Sequence, residues 1–304
     1  MEKKRVAIVV LNYNRREMLL RCLDSIFRQD HPVFKVILVD NHSSDGSVEA
    51  VRQTYPSVEI IRNDRNYGAS GGKNIGLRHA MKEVVDWVYL VDNDIIVEKN
   101  TLVELIKVTE IDPKVGVVGS KIYNLDNPHE LYGAGVVLDY TQNVGHGRGR
   151  GEIDEGQYDR TEEVEVLLGG SLLIRMDVLR SIGLFDTDFL GYWYEAQDFC
   201  LRAVKAGFKV YFAHRSKVWH KPPAEEYSFH KKYLTTRNAL RFMEKHGRPR
   251  TWMKYLFYSI VGFGYALVRE TPRGNFMGVV GKAKGLFDGL LGRDEPARKM
   301  LLKK

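Results

Sequence analysis

The sequence holds two cysteines in 304 residues, Cys22 and Cys200. Both fall in segments of helical spacing, on faces shared with apolar residues. That argues against a disulfide framework or a cysteine-ligated metal and predicts buried free thiols in a reducing compartment. Nor does the first segment read as a leader. Met1-Glu2-Lys3-Lys4-Arg5 runs straight into an apolar strand with no small-residue cleavage site after it, the expectation for a chain without a secretory signal. No apolar run reaches the roughly 20 residues of a membrane span. The best candidate, Trp252 to Val268, is broken by Lys254, Gly262 and Gly264, so it reads as an interfacial, re-entrant or core-docked helix. The glycine-rich stretches lack the spacing of a P-loop or a dinucleotide fingerprint.

Basic excess is missing from most of the chain. Net charge is +7, but Lys245 to Lys304 alone carries 13 Lys/Arg and 4 Asp/Glu, leaving 33 Lys/Arg against 35 Asp/Glu elsewhere. The basic tail predicts an anionic surface as its partner. A nucleic acid is disfavoured, because these cations sit among apolar stripes and not in a groove with stacking aromatics. Phe276, Val279, Val280, Ala283, Phe287, Leu290 and Leu291 recur on one helical face, with Lys282 and Lys284 off it. That is the pattern of a helix lying on an anionic bilayer, or else of one covering the core or meeting a second copy in a homodimer.

What is present is an alternation of strand and helix. Val6 to Leu11, Val36 to Val39, Val58 to Ile61 and Trp87 to Val91 are short apolar runs, each followed by a polar loop and then helical spacing. The fold class predicted is α/β, a mainly parallel, doubly wound sheet flanked by helices. Further strands are expected at Val115 to Ser120, Tyr132 to Asp139, Val164 to Leu168 and Lys209 to Phe212, with helices over Thr101 to Ile111 and Tyr233 to His246. Gly145 to Gly151, basic through His146, Arg148 and Arg150, reads as a solvated connection, or as a mobile loop able to fold over an anionic donor. The domain division expected is 1–244, with halves meeting near 120, followed by a basic amphipathic region 245–304.

Ligands of such sheets sit outside the carboxyl ends of the strands. The fourth strand ends in Asp92-Asn93-Asp94, by itself either a strand end or β-turn with solvated acids, or two carboxylates able to turn to one hard cation. Mg²⁺ or Mn²⁺ suits them and can bridge a diphosphate. Asp40 ends the second strand, suited to a nucleobase imide or a ribose hydroxyl, or to a turn. Gly68 to Asn74 reads as a loop whose backbone N–H groups, Gly72 and Asn74 among them, can meet phosphate at a helix start, or as a plain turn. Trp193 and Tyr194 precede a helix whose first turn bears Glu195 and Asp198. These acids favour the helix dipole, or supply a base beside a sugar stacked on the aromatics. His220, before Pro222-Pro223, reads alone as a structural histidine, or with Asp92 and Asp94 as a candidate third ligand.

Together these motifs resemble the inverting nucleotide-sugar glycosyltransferases of family 2, which have the GT-A fold. The segments that carry the resemblance are Val39-Asp40-Asn41-His42-Ser43-Ser44-Asp45-Gly46-Ser47, Asn66 to Gly76, Asp92-Asn93-Asp94, Gly169 to Arg175, Gly183-Leu184-Phe185-Asp186, Glu195 to Arg202, and His220. The resemblance implies Asp40 on the base with the Asn12-Tyr13-Asn14 loop near it, and Asn66, Gly72, Asn74 and Asn93 within the donor-binding set. It also implies Asp92 on ribose or metal, Asp94 on metal, and His220 completing the metal site. The spacing resembles rhamnosyl- and galactofuranosyltransferases of cell-surface polysaccharide assembly. That implies a dTDP- or UDP-sugar donor, a polyprenyl-diphosphate-linked glycan acceptor, and a peripheral place on the cytoplasmic face of the cell membrane.

One position departs from the family. Where an acid follows the Glu195 position and serves as general base, this chain has Ala196. A methyl group takes no proton. Either Glu195 or Asp198 substitutes, or the chain is a form that has lost its base, naturally or by design. Two other readings follow: a nucleotidyltransferase, holding a triphosphate with Arg15 and Arg16, and a non-catalytic binder of sugar nucleotide or lipid carrier.

Overall fold

The computed structural model describes residues 4–141, 144–191, 193–221 and 228–293. Tyr192, the Pro222-Pro223 turn and the basic residues Arg298, Lys299, Lys303 and Lys304 lie outside these. In chain order the elements begin with β1 (Val6–Asn12), α1 (Arg16–Phe27), β2 (Lys35–Asp40), α2 (Ser47–Thr54), β3 (Glu59–Arg62), α3 (Gly68–Ala80) and β4 (Trp87–Asp92). There follow β5 (Ile95–Val97), α4 (Thr101–Val108), β6 (Val115–Asn124), β7 (Leu131–Gly133), β8 (Val136–Leu138), β9 (Gly145–Gly147) and β10 (Glu162–Glu163). The last are β11 (Ser171–Arg175), α5 (Met176–Ile182), α6 (Glu195–Lys205), β12 (Lys209–His220), α7 (Phe229–His246), α8 (Pro249–Glu270) and α9 (Phe276–Leu290).

Two compact units emerge. The first contains Met1–Val136, Gly147–Phe185 and Ala196–Pro222. Its ten-stranded sheet runs β10-β12-β6-β11-β4-β1-β2-β3, with β5 added on β12 and β7 on β6. The first four predicted strands are β1 to β4, and β3-β2-β1-β4 is parallel throughout. The apolar runs of β1, β2 and β4 are buried on both faces, as the interior strands of a parallel sheet require, while β3, at the edge, is half-buried. The sheet is mixed because β11 lies antiparallel between β4 and β6.

Several local expectations change. Val164 to Leu168 is not a strand; Val166 and Leu167 are buried in irregular chain, and the strand is the next apolar run, Ser171–Arg175. An apolar run marks burial, and periodicity alone does not fix its secondary structure. Tyr132 to Asp139 splits into β7 and β8 because Gly135 takes a left-handed φ of 87°. The expected strand Lys209 to Phe212 continues to His220, with a register break between Ala213 and Lys217. Gly145 to Gly151 is partly strand β9 and is tied down: Arg148 Nε donates to the Ala134 carbonyl at 2.8 Å, and its guanidinium covers Tyr158.

The glycine-rich stretch is helix, not loop. α3 starts at Gly68, and Gly72 and Gly76 face the sheet. A Cβ on Gly76 would strike Val9 and would lie 2.8 Å from Val39 Cγ2; one on Gly72 would strike Leu11. The glycines let the helix press onto β1 and β2.

The second unit gathers Val137–His146, Asp186–Glu195 and Pro223–Lys304, so the division does not fall at residue 244. α7 organises it. Asn238 Nδ2 donates to the Leu190 carbonyl at 3.2 Å, Arg241 pairs with Asp188 at 2.5 Å, and Lys245 pairs with Asp186 at 2.9 Å. These bonds fasten Asp186–Leu190 to the helix. In α9 the apolar face is split: Gly278, Val279, Gly281, Gly285 and Asp288 are buried, while Phe276, Phe287 and Leu290 are exposed. A Cβ on Gly285 would lie 2.5 Å from the Tyr233 carbonyl. The backbones of α7 and α9 therefore approach as closely as small residues permit.

Candidate active site

The parallel register places Asn12 beside Asp40 and Leu11 beside Asp92, so these strand ends share one edge of the sheet. Just past β4 the chain turns into β5, which pairs antiparallel with the end of β12, His220 opposite Ile95. Lys221 N–H then donates to the Asp94 carbonyl at 2.9 Å. This return brings a residue from far downstream to the acids: His220 Nε2 lies 3.4 Å from Asp94 Oδ2. The Tyr132 ring meets the imidazole edge-on at 4.6 Å.

Each carboxylate has its own cation. Arg15 Nη1 sits 2.5 Å from Asp94 Oδ2, and Lys73 Nζ sits 3.1 Å from Asp92 Oδ1. Burial works to raise the Asp94 carboxyl, but the His220 imidazole and the Arg15 guanidinium outweigh it and hold it below the usual carboxylate range. Asp94 Oδ1 and His220 Nδ1 are buried with no hydrogen-bond partner among the described residues. A buried carboxylate oxygen without a partner, beside an imidazole, fits a divalent cation. Asp92 does not join them as the sequence led us to expect. It is turned to Lys73, so the three anticipated ligands do not converge. Behind both acids lies the Cys22 thiol, 3.7 Å from the Asp92 carbonyl and pushed up by burial and by the two carboxylates.

Lys73 was not singled out from the sequence, and Arg15 only as a triphosphate ligand in the nucleotidyltransferase reading. Lys73 had a signal: with Leu77 and Ala80 it falls on the buried stripe of α3, and a lysine on such a face needs an acid. Its side chain is 3% exposed.

The donor-loop residues expected to meet ligand form an internal network. Asn12 Nδ2 donates to Asp40 Oδ1 at 3.0 Å and to Ser43 Oγ at 3.1 Å, while Asn93 Nδ2 donates to Asn12 Oδ1 at 2.6 Å. Ser43 N–H donates to the other Asp40 oxygen at 3.0 Å. Asp40 and Asn12 are wholly buried. They shape the loop, while the more accessible Tyr13 and Asn14 border it; Asn14 is held left-handed at φ 47°. Asn66 accepts from the Asn41 side chain and from Gly68 N–H. Asn74 exchanges two bonds with the backbone of Phe185, at 2.8 and 3.0 Å. Asn74 and Gly72 therefore act in helix packing here, not at the acids.

At α6, Asp198 is also reassigned. It is fully buried and pairs with Arg202 at 2.8 Å, which in turn donates to the Ile182 and Leu184 carbonyls. An acid so held is a fastening for the preceding loop and is not placed to accept a substrate proton. Ala196 is buried on the same helix. In the second unit, Tyr194 is 4% exposed and its ring meets Phe242 at 5.4 Å, so it is core and not a stacking platform. Trp193 and Glu195 are half-buried. Trp193 and Tyr194 both take left-handed φ, 60° and 79°, a strain of the kind that collects at functional sites.

A second cluster, Glu59, His79 and Glu83, has donor atoms within 4.8 Å of one another. Lys35 already sits there, 3.1 Å from Glu59 and 2.6 Å from Glu83. Lys35 and Glu59 open their strands, so the cluster lies at the opposite sheet edge from Asp94 and reads as an ion-pair clasp.

This fold is similar to that of GalNAc-T7 solved with UDP, GalNAc and Mn²⁺ (TM-score 0.63, 16% identity, 79% of this chain and 48% of that one). It is also similar to the mannosyltransferase PcManGT of Pyrobaculum calidifontis, solved with GDP-Man and Mn²⁺ (TM-score 0.57, 17% identity, 95% and 88%). The glycosyl transferase family 2 model matches residues 7–183. The chain belongs to that family. Galactofuranosyltransferase GlfT1 of Mycolicibacterium smegmatis is 32% identical over 127 residues, 41% of this chain. The match spans 42% of GlfT1's own length. The low-salt glycan biosynthesis hexosyltransferase Agl10 of Haloferax volcanii is 23% identical over 277 residues, 87% of this chain and 84% of that one.

Proposed function

We propose that the chain transfers a sugar, of rhamnose or galactofuranose type, from a dTDP- or UDP-sugar to a hydroxyl of a polyprenyl-diphosphate-linked glycan. The observation that carries this is Asp94 beside His220 at the strand edge, with the second Asp94 oxygen buried and unpartnered among the described residues. The name of GlfT1 and the Mn²⁺ in the structures of GalNAc-T7 and PcManGT support it. Such an acceptor places the work at the cytoplasmic face of the cell membrane, with the chain attached peripherally. No helix among the described residues is long and apolar enough to cross a bilayer.

Asp94 and His220 would hold Mn²⁺ or Mg²⁺, with Asp92 joining on release from Lys73. The cation, when bound, offsets charge on the leaving diphosphate. Arg15 and Lys73 add positive charge where that diphosphate departs. The acceptor oxygen attacks the anomeric carbon as the bond to phosphate breaks. This single displacement inverts the configuration. Asp198 is committed to Arg202 and Ala196 has nothing to accept the acceptor proton, so that proton leaves to water and transfer is slow.

Ala196 favours one rival, a binder of sugar nucleotide that does no chemistry. Thermal stabilisation by UDP- and dTDP-sugars with Mn²⁺, followed by a product assay on a polyprenyl-diphosphate glycan, separates the two. Stabilisation with product supports the transferase; stabilisation without product supports the binder; neither effect removes both.

A further inference from the structure

In the second unit, α8 has the polarity of a surface helix turned inside out. Its buried residues, Tyr255, Ser259, Gly262 and Ala266, form one stripe of small or hydroxyl-bearing side chains. The opposite side carries Met253, Phe257, Ile260, Val261 and Val268, exposed by 52 to 79%. In a helix of a water-soluble surface the apolar stripe faces inward. Here it faces out, and α9 adds exposed Phe276, Met277, Phe287, Leu290 and Leu291. Most of the large apolar side chains exposed among the described residues lie between Met253 and Leu291. So large an apolar surface marks an interaction site.

Charge identifies the partner. Tyr255 to Val268 has no charged residue, and cations flank it: Arg248, Arg250 and Lys254 before, Arg269 and Arg273 after. Glu270 is the one acid in α8, and it is shared with Arg269 and Arg273. An antiparallel pairing of two copies across α8 would bring one cationic end against the other. An anionic lipid surface accepts both ends, with the aromatic and aliphatic middle in the acyl boundary. The close approach of α9 to α7 through glycine leaves its larger side chains free for the same surface.

We infer that the outer faces of α8 and α9 form an in-plane docking surface for an anionic bilayer, centred on Phe257, Ile260 and Val268. This deepens the reading of a lipid-linked acceptor, yet its test needs neither donor nor turnover.

The test is flotation of the full chain with vesicles of phosphatidylcholine, with and without phosphatidylglycerol. The chain is compared with Phe257→Glu/Ile260→Glu and with Val84→Glu, an exposed apolar site in the first unit. Circular dichroism checks that each variant is folded. Light scattering without vesicles reads self-association. The expected result is flotation of the unaltered chain and of Val84→Glu with phosphatidylglycerol vesicles, and a loss of at least about tenfold in the double variant. No flotation, or equal flotation of a folded double variant, overturns the inference. So does a dimer that the double variant dissolves, which would give the face to a second copy. Calorimetry with nucleoside diphosphate and Mn²⁺ on the same samples reports the donor site separately.

Discussion

His220 Nε2 stands 3.4 Å from Asp94 Oδ2 because the last residues of β12 pair with β5, the strand that follows Asp94. Two groups far apart in sequence thus belong to one backbone ladder. Neither can move without breaking strand pairing, which is the rigidity that a cation site asks of its supports.

The first prediction concerns that pair. Asp94→Asn removes the negative charge that His220 and Arg15 face. Product formation is expected to fall about 10² to 10³-fold. Mn²⁺ with nucleoside diphosphate should no longer raise the melting temperature, and the melting temperature without ligand should fall modestly, because Arg15 loses its carboxylate partner.

A second prediction concerns the vacant base position. Ala196→Asp puts a carboxylate in the first turn of α6, where the helix dipole favours it. Turnover is expected to rise about 10² to 10⁴-fold. An unchanged rate in a folded variant that binds donor would leave Glu195 as the base already in use.

The glycines of α3 yield a stability prediction. Gly76→Ala sets a methyl group against Val9 and Val39. Overpacking of this kind costs about 1–3 kcal/mol, read as a lower urea midpoint. Gly207→Ala, with no neighbour near the added Cβ, is the comparison for crowding, although its left-handed φ of 89° adds backbone strain of its own.

A pH dependence follows from Lys121, fully buried in β6 and paired with Asp154 at 2.8 Å and Asp159 at 2.5 Å. Burial acts to raise the Asp154 carboxyl, but Lys121 and Tyr123 outweigh it and hold it low. A carboxyl lowered in the folded state adds stability above its unfolded value, about 3.9. That stability is lost as pH falls through the folded value. Asp154→Asn should therefore be destabilised by about 1–3 kcal/mol at neutral pH. The gap from the unaltered chain should close below about pH 4, measured by urea unfolding across pH.

Much of the parallel half was legible because each of its strands is a compact apolar run ending in a polar turn. Asp92-Asn93-Asp94 marked the strand edge for the same reason. What could not be read depends on pairing between distant residues. β11 sits antiparallel between β4 and β6, an arrangement no local pattern encodes. Val164 to Leu168 looked like a strand because burial without regular structure leaves the same apolar trace. Asp198, Tyr194 and Asn74 looked functional by type, yet Arg202, Phe242 and Phe185 occupy them. In α9 the apolar spacing left open a bilayer or the core as its partner, and it did not show that glycine would take the side against α7.

The central claim is that Asp94 and His220 together hold the cation that grips a nucleoside diphosphate. Calorimetric titration of UDP and dTDP, with Mn²⁺ and with chelator, into the unaltered chain and His220→Ala tests it most directly. The account predicts binding that requires Mn²⁺ and weakens at least about tenfold in His220→Ala. Binding of equal strength in chelator, unchanged by loss of the imidazole, would contradict it.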